Sequence, residues 1–532
     1  MQAYMRIGEC SDYEGVVPVQ TEKTDNLAGK ALGIILVTGV SKVIGFLRSA
    51  VLAAYFGTTW QTDAFYMAQN VVALLSSALS SGFTASVVPI FTEETIHGGK
   101  RQADRYASSL TNLVIVFTLV LSAAAFIFAP QLVSIFAPQF EGLQAALTVQ
   151  MVRALMCIVV MTALINVFSG LLNAQQRFIP AQLIGFPLSI AMIAFAVFAS
   201  KRFGVQAMVY GLVVGTVGQL LLMMLSLKGV FKYAPIMNIR SKAIRKTFAM
   251  TIPAFLGTSL DLINQAVDKA LASGLVEGSI SAISYATQLT TLVNALIAAP
   301  IALTIFTSLS KYEATGDRPA VKGLLHKAVS TLLVMLIPIM IYSLTFPREI
   351  VSIVYGRGSF GQQAVQLTST AFLFYALALP AWGVRLSVTR CFLAQQDART
   401  PVIITFISVA LNIALNLWLV KRMAVAGLAL ATSISIYVSC ILLLVLLRRK
   451  IGALGILGWV KDVARIGLAS ICILLSAVGS KSVLSGMPPI ILVGVAAIVG
   501  LLLYVVVLWL LKQQEVREAA DKVMSYLRRR NK

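Results

Sequence analysis

Charge is scarce in this chain of 532 residues: Asp, Glu, Lys and Arg make up 12% of it, against 58% apolar residues. The mean hydropathy is +0.86. A water-soluble core cannot absorb that much apolar surface, so the solvent for much of this chain is lipid. Histidine is nearly missing, with only His97 and His326. The five cysteines, Cys10, Cys157, Cys391, Cys440 and Cys472, are scattered and form no CxxC. A disulfide framework and a zinc site are thereby excluded. Walker, HExxH and GxSxG motifs are absent, which leaves an enzyme without visible catalytic residues. A secretory signal is also missing: residues 1–26 carry Glu9, Asp12, Glu14, Glu22 and Asp25 with no apolar core, and read as a soluble arm. Acidic residues are half as common as basic ones, 21 against 43, for a net charge of +22. In a soluble protein that excess would suggest nucleic acid. Here the basic residues border apolar runs, where they set membrane topology instead.

Apolar runs recur from Leu32 to Leu511. Each is long enough for a hydrocarbon core roughly 30 Å thick at about 1.5 Å per helical residue. They do not alternate as β-barrel strands would. The chain therefore reads as an all-α polytopic membrane protein with about fourteen transmembrane helices. The expected spans are 31–57, 62–92, 106–137, 142–174, 179–200, 205–227, 246–273, 279–310, 323–346, 363–395, 401–420, 424–447, 460–480 and 488–511. With a cytoplasmic amino terminus, most loop cations fall inward, including Lys100, Arg101, Arg105, Arg240, Lys242, Arg318, Lys322 and Arg448–Lys450. Only Lys201, Arg202, Arg348, Arg357, Lys421, Arg422 and Lys481 fall outward. Both termini are expected in the cytoplasm.

One boundary is written twice. "LNAQQRF" (Leu172–Phe178) and "LAQQDAR" (Leu393–Arg399) share Ala-Gln-Gln at an offset of 220. "PQLVSI" resembles "REIVSI" at 218, and "AFYMAQ" resembles "ISYATQ" at 219. These offsets describe an internal repeat that pairs spans 1–6 with spans 7–12. Six is even, so the halves run parallel about an axis along the membrane normal, which is the plan of a rocking transporter. The expected organisation is an arm (1–27), a first lobe (28–229), a second lobe (241–449), spans 13–14 (457–511) and a basic tail (512–532). That tail either lies as an amphipathic helix on the anionic leaflet or is simply solvated.

Ionisable residues inside spans need a partner or water. Span 1 holds Lys42 and Arg48, and Asp63 opens span 2 near enough to pair with Arg48. The pair reads either as an anion-binding arginine held by a carboxylate or as a structural ion pair. Arg153 lies near a span end, where it can snorkel. Asp261 and Asp268 are seven residues apart on one helix face, which suits a cation path, with Lys269 beside them. Arg385 and Arg390 lie in span 10. Asn412 and Asn416 lie one turn apart in span 11, where helix packing is the simpler reading.

The stretches "SKVIGFLRSAVLAAYFG", "TDAFYMAQN", "ASVVPIFTEE", "LLNAQQRFIPA", "DKALASGLVEGSISAISYA", "VYGRGSF" and "FLAQQDARTPV" together resemble the MurJ (MviN-type) lipid II flippases of the MOP transporter superfamily. The resemblance implies two six-helix lobes in a V, alternating access, and location in the bacterial cytoplasmic membrane. The implied cargo is an undecaprenyl pyrophosphate-linked peptidoglycan precursor, with a lipid-tail groove in spans 13 and 14. It further implies that Arg48 and Asp63 are a cavity arginine and its carboxylate, with Lys42 where the family often has arginine. Asp268, Asn412, Asn416 and Thr432 fall at a sodium site, with sodium as candidate coupling ion and no other cofactor. Ser76, Ser77 and Gln288 stand where the family usually has arginines, and Asn416 replaces a carboxylate. The rival readings are another polyprenyl-linked oligosaccharide as cargo, a cation-coupled exporter, and a non-transport scaffold for cell-wall enzymes.

Overall fold

In the computed structural model every element is helical among the described residues, which are 24–518 except 454 and 485, together with 521 and 525. Most of the expected arm, 1–23, and most of the basic tail lie outside them, and residues 24–27 of the arm open the first helix. The first half comprises α1 (Thr24–Phe56), α2 (Trp60–Ile127), α3 (Ala129–Phe136), α4 (Gly142–Ala174), α5 (Ile179–Leu183), α6 (Gly185–Ala194), α7 (Ser200–Phe203) and α8 (Gln206–Ser226). The second comprises α9 (Lys242–Ala272), α10 (Ser279–Val293), α11 (Ala299–Ala314), α12 (Arg318–Thr345), α13 (Pro347–Tyr355), α14 (Gln362–Ala376), α15 (Leu379–Ala394), α16 (Arg399–Met423) and α17 (Val425–Ile451). The last pair is α18 (Ile456–Val483) and α19 (Pro489–Leu510).

Among the described residues, eleven helices are long and apolar enough to cross a membrane, or twelve when α14 and α15, bent by 45°, count as one. The other two expected segments, 62–92 and 246–273, are helical in α2 and α9 but richer in polar groups. They carry Asp63, Gln69, Asp261, Asn264, Gln265, Asp268 and Lys269, several of which form the site described below. The long α2 also contains a break at Gly99 (φ 70°, ψ 175°).

The repeat is visible in the backbone. Gln176 (φ 57°) and Gln396 (φ 60°) both take the left-handed conformation. Arg177 N bonds Leu172 O at 2.9 Å, and Asp397 N bonds Phe392 O at 2.9 Å. The twice-written Ala-Gln-Gln is therefore a twice-built helix stop, in which a left-handed residue turns the chain back onto its last carbonyls. At the same offset, Gly204 (φ 55°) and Ala424 (φ 48°) end α7 and α16 alike.

Side-chain burial follows lipid rather than water. On α19, Leu492, Ala496, Gly500, Tyr504 and Leu508 recur every four residues and are buried against α18 and α12. Tyr504 Oη donates to Val334 O at 3.0 Å, and Tyr342 Oη donates to Ala496 O at 2.9 Å. The opposite face, with Ile498, Leu502 and Trp509, is exposed and apolar, as a helix facing acyl chains must be.

The cores show how the halves meet. One continuous cluster joins both halves through Phe56, Phe65, Val133, Met208, Tyr285, Tyr355 and Leu428. Toward the other end the core divides. Phe83, Tyr106, Phe168 and Met223 form one cluster, and Leu309, Leu325, Phe392 and Leu447 form another. Apart from α9, the halves are fused at one end and separate at the other. Helix α9 crosses between them: its start packs on α2 through Phe248 against Phe83 (6.0 Å between rings), and Asp268 near its end meets α16.

Candidate functional site

The fused end is closed by hydrogen bonds between the halves. Asp63, in the first turn of α2 and 3% exposed, accepts from Gly278 N at 2.8 Å and from Ser281 N at 2.7 Å. Those amides belong to the start of α10, where four N–H groups lack helical partners. Glu277 Oε1 returns the arrangement by accepting from Trp60 N at 2.9 Å, at the start of α2. Gly278 (φ 87°) sits so close that a Cβ there would lie 2.5 Å from Thr58 O. The "VYGRGSF" stretch closes the same end: Ser359 N donates to Ala54 O at 2.7 Å and Ser359 Oγ to Tyr55 O at 3.1 Å. A Cβ on Gly358 (φ 59°) would lie 2.2 Å from Ala54 O. Tyr66, Tyr285, Tyr355 and Phe360 pack ring on ring beneath, with neighbouring centroids 5.1–5.6 Å apart.

Below this seal lies a polar cavity of about 410 Å³. Its walls come from α2 (Tyr66, Gln69), α9 (Asp261, Asn264, Gln265, Asp268, Lys269) and α10 (Ser284, Thr287, Gln288), completed by α14 to α17. Two cations face it, Lys269 and Arg385. Arg385 Nη2 donates to Thr405 Oγ1 at 3.0 Å and keeps further N–H groups for a ligand.

The expected anion-binding group is arranged differently. Asp63 does not hold Arg48, because both of its carboxylate oxygens are committed to the backbone of α10. The physical reason is that two unpaired amides at a helix start outcompete a side chain that carries its own entropy. Arg48 is half-buried on α1. Lys42 is exposed on α1. Lys42, Arg48 and Asp63 are not among the cavity-lining residues. Of the positions where the family usually has arginine, Ser76 and Ser77 are buried and Gln288 lines the cavity.

The four residues expected at a cation site do converge. Asn416 Nδ2 donates to Asp268 Oδ1 at 2.6 Å, Asn412 meets Thr432 Oγ1 at 3.2 Å, and the Asn412 and Asn416 amides lie 2.7 Å apart. Asn264 lines the cavity beside them. Asp268 is 5% exposed and Asn416 fully buried. Asn416 Oδ1 is buried without a hydrogen-bond partner, which costs about 1–3 kcal/mol unless something fills the gap. An oxygen-only set with one carboxylate fits a hard monovalent cation and would suit zinc or copper poorly. Sequence reasoning missed Glu277, Gly278, Ser281 and Asn264. The one available signal was Glu-Gly directly before Ser-Ile-Ser, a helix-start pattern whose partner lies over 200 residues away.

Among known proteins, the family model described as "Lipid II flippase MurJ" matches residues 52–493. The probable lipid II flippase MurJ of Rickettsia prowazekii (strain Madrid E) is 25% identical over 410 residues, covering 76% of this chain and 80% of that one. The lipid II flippase MurJ of Burkholderia cenocepacia is 26% identical over 435 residues, covering 80% and 84%. A solved lipid II flippase MurJ in an inward closed conformation shares the fold at TM-score 0.76 and 22% identity, over 90% of this chain and 98% of that one. An inward-facing multidrug resistance MATE transporter of the MOP superfamily shares it at TM-score 0.65 and 14% identity, over 79% and 98%. Since the family match spans most of the length and the duplicated architecture agrees with it, the chain belongs to the MurJ family of lipid II flippases.

Proposed function

We propose that this protein moves lipid II, a polyprenyl pyrophosphate-linked peptidoglycan precursor, across the bacterial cytoplasmic membrane by alternating access, with both termini in the cytoplasm. One observation carries the reading: a polar chamber with Lys269 and Arg385 in its walls lies between halves fused at one end and separate at the other. With the amino terminus inside, the fused end is the outer one and the chamber accepts cargo from the inner leaflet. Guanidinium and ammonium groups in a site shielded from bulk water suit a pyrophosphate, which spreads its charge over several oxygens. Arg48 and Lys42 on α1 join them as substrate contacts when the halves rock. Asp63 serves the outer seal. Rocking then needs the Asp63 and Glu277 bonds to part, and water at the outer surface takes their place.

Asp268, Asn412, Asn416 and Thr432 would hold sodium, with Asn264 as a further oxygen. The ion would supply positive charge where Asp268 otherwise stands buried beside amides. The carboxylate, two carboxamides and hydroxyl of α9, α16 and α17 give differential affinity between the rocked states, because α9 belongs to both halves.

The test is flipping of purified lipid II in proteoliposomes that contain the full chain. Loss of flipping in Lys269→Ala and Arg385→Ala, with retained folding, is expected. Wild-type flipping in the Lys269→Ala/Arg385→Ala double variant refutes the chamber assignment. A second cargo, another polyprenyl-linked oligosaccharide, is favoured by the sequence: Ser76, Ser77 and Gln288 stand where the family resemblance implies arginines. Transport of that cargo class without transport of lipid II decides for it. Protein partners among cell-wall synthesis enzymes remain a separate proposal, tested by co-purification.

A further inference from the structure

A second cavity, of about 420 Å³, opens at the basic end of the bundle, away from the transport chamber. It lies between the first turns of α12 (Gly323, His326, Lys327), the first turns of α18 (Gly458, Lys461, Asp462, Arg465) and the segment after α19 (Lys512, Gln514, Glu515). The third wall is fixed by the chain itself. Lys512 takes φ 61° and Gln513 N returns to Leu508 O at 2.9 Å, which ends α19. Gln513, fully buried, donates through Nε2 to Ser330 Oγ at 3.0 Å and to Glu515 Oε2 at 2.8 Å. Lys512 is thereby held over α12.

The acids of this cavity are already engaged. Asp462 Oδ2 meets His326 Nε2 at 2.8 Å, and its Oδ1 accepts from Arg465 Nη1 at 3.5 Å. Glu515 takes the Gln513 amide, and Lys327 pairs with Glu518. Lys461 and Lys512 are left: both are exposed and neither has an ionic or hydrogen-bonding partner among the described residues. Arg465 makes one long bond and keeps donors to spare. Three cations from two walls therefore face two carboxylates across a concave site and leave it net positive, which suits an added phosphate.

The rim identifies the source of that phosphate. Val460 and Val463, on either side of Lys461, are 56% and 48% exposed, and Trp509 and Leu510, just before Lys512, are 49% and 63% exposed. These are lipid-facing side chains, and Trp509 is placed as an interfacial aromatic. Trp459 stacks on His326 at 5.8 Å and stiffens the wall. A ligand in the cavity has its phosphate at the headgroup level and acyl chains alongside α18 and α19. We infer that this cavity binds the phosphodiester headgroup of an anionic phospholipid and so clamps the α18–α19 pair to α12. Basic pockets between transmembrane helices at a cytoplasmic face take such headgroups. The proposal stands whatever the transport cargo is.

The experiment is native mass spectrometry of the purified full-length chain, with phosphatidylglycerol or phosphatidylcholine added at equal concentration. Phosphatidylglycerol is expected to be retained preferentially. Lys461→Gln and Lys512→Gln should each lower its occupancy, by about fivefold per charge, and together by more. Both side chains are exposed and unpaired, so folding is not at stake. Lys201→Gln/Arg202→Gln, at the opposite end of the bundle, should leave retention unchanged. Equal retention of the two lipids overturns the proposal, as does a Lys461→Gln/Lys512→Gln variant that behaves like wild type. Displacement of the lipid by glycerol 3-phosphate alone would show a soluble-phosphate site and also overturn it. Retention of polyprenyl pyrophosphate but not phosphatidylglycerol would make the cavity part of the cargo path, again contrary to the proposal.

Discussion

Replacing Asp63 with alanine should open the sealed end. The carboxylate accepts two backbone amides across the halves, Gly278 N at 2.8 Å and Ser281 N at 2.7 Å. Hydrogen bonds to a charged group contribute about 1.5–3 kcal/mol each beyond what water offers, so the two together hold the closed state by at least about 3 kcal/mol. Losing them shifts the closed-to-open ratio by about a hundredfold. The readout is a single cysteine at Ser284, which lines the chamber, in a chain whose five native cysteines are replaced. A membrane-impermeant maleimide added outside should label Asp63→Ala/Ser284→Cys far faster than Ser284→Cys alone, up to that factor. Labelling from the cytoplasmic side should fall. Asp63→Asn keeps one acceptor oxygen and should lie between. If Asp63→Ala folds, yet labels at the parent rate from both sides, the carboxylate is not a latch and the reasoning fails.

Gly358→Ala should act in the same direction without touching any charge, because its Cβ would fall 2.2 Å from Ala54 O; unchanged labelling of the chamber cysteine counts against the seal. Asn416→Leu fills the position of the unsatisfied Oδ1 with an apolar group and should abolish stabilisation of the protein by sodium in a thermal melt, while the wild type gains stability as sodium replaces potassium; equal sodium response in both refutes the cation site. Ala424→Gly should stabilise by about 1 kcal/mol, since a left-handed alanine is strained where the repeat-related residue is Gly204; a lower melting temperature refutes that. Asp397, in the loop after α15, has its carboxyl brought down to about 2: burial raises it, but hydrogen bonds from Lys450 and Thr400 outweigh this. A depressed carboxyl contributes stability above its unfolded pKa of about 3.9 and loses it as pH falls toward 2. The melting-temperature gap between wild type and Asp397→Asn should therefore be full at pH 7 and shrink at pH 3; a gap that ignores pH refutes the assignment.

What the sequence made legible was local or periodic. Apolar runs revealed lipid-facing helices, because period and length are written residue by residue. The Ala-Gln-Gln pair marked two identical helix stops, now seen as Gln176 and Gln396 in one left-handed conformation. Asp268, Asn412, Asn416 and Thr432 were named together through the family resemblance and lie together. The bond from Asp63 to Gly278 was not legible, since a carboxylate opening span 2 within reach of an arginine on span 1 looks like that arginine's partner. Burial decided otherwise: a helix start with orphan amides is a stronger claimant, and it arrives from 215 residues away. Spans 2 and 7 carry polar residues that make them walls of the chamber as well as membrane crossings.

The geometry of the seal explains why the latch is carboxylate on backbone. Helices α2 and α10 are related by the repeat, beginning at Trp60 and Ser279, an offset of 219 as in the paired "AFYMAQ" and "ISYATQ". Parallel halves bring these two helix starts to one end of the molecule, close to the symmetry axis. Each start carries roughly half a positive charge, so two starts in contact repel. Asp63 from α2 accepts the amides of α10, and Glu277 before α10 accepts the first amide of α2. Each half caps the other, and two carboxylates neutralise two dipoles. Such a seal is strong when closed yet not trapped, because the polar groups it exposes on parting lie at a surface where water replaces every bond. An ion pair buried in the middle of the bilayer would offer no such exchange. Duplication therefore creates both the electrostatic problem at this end and a latch that can be undone once per transport cycle.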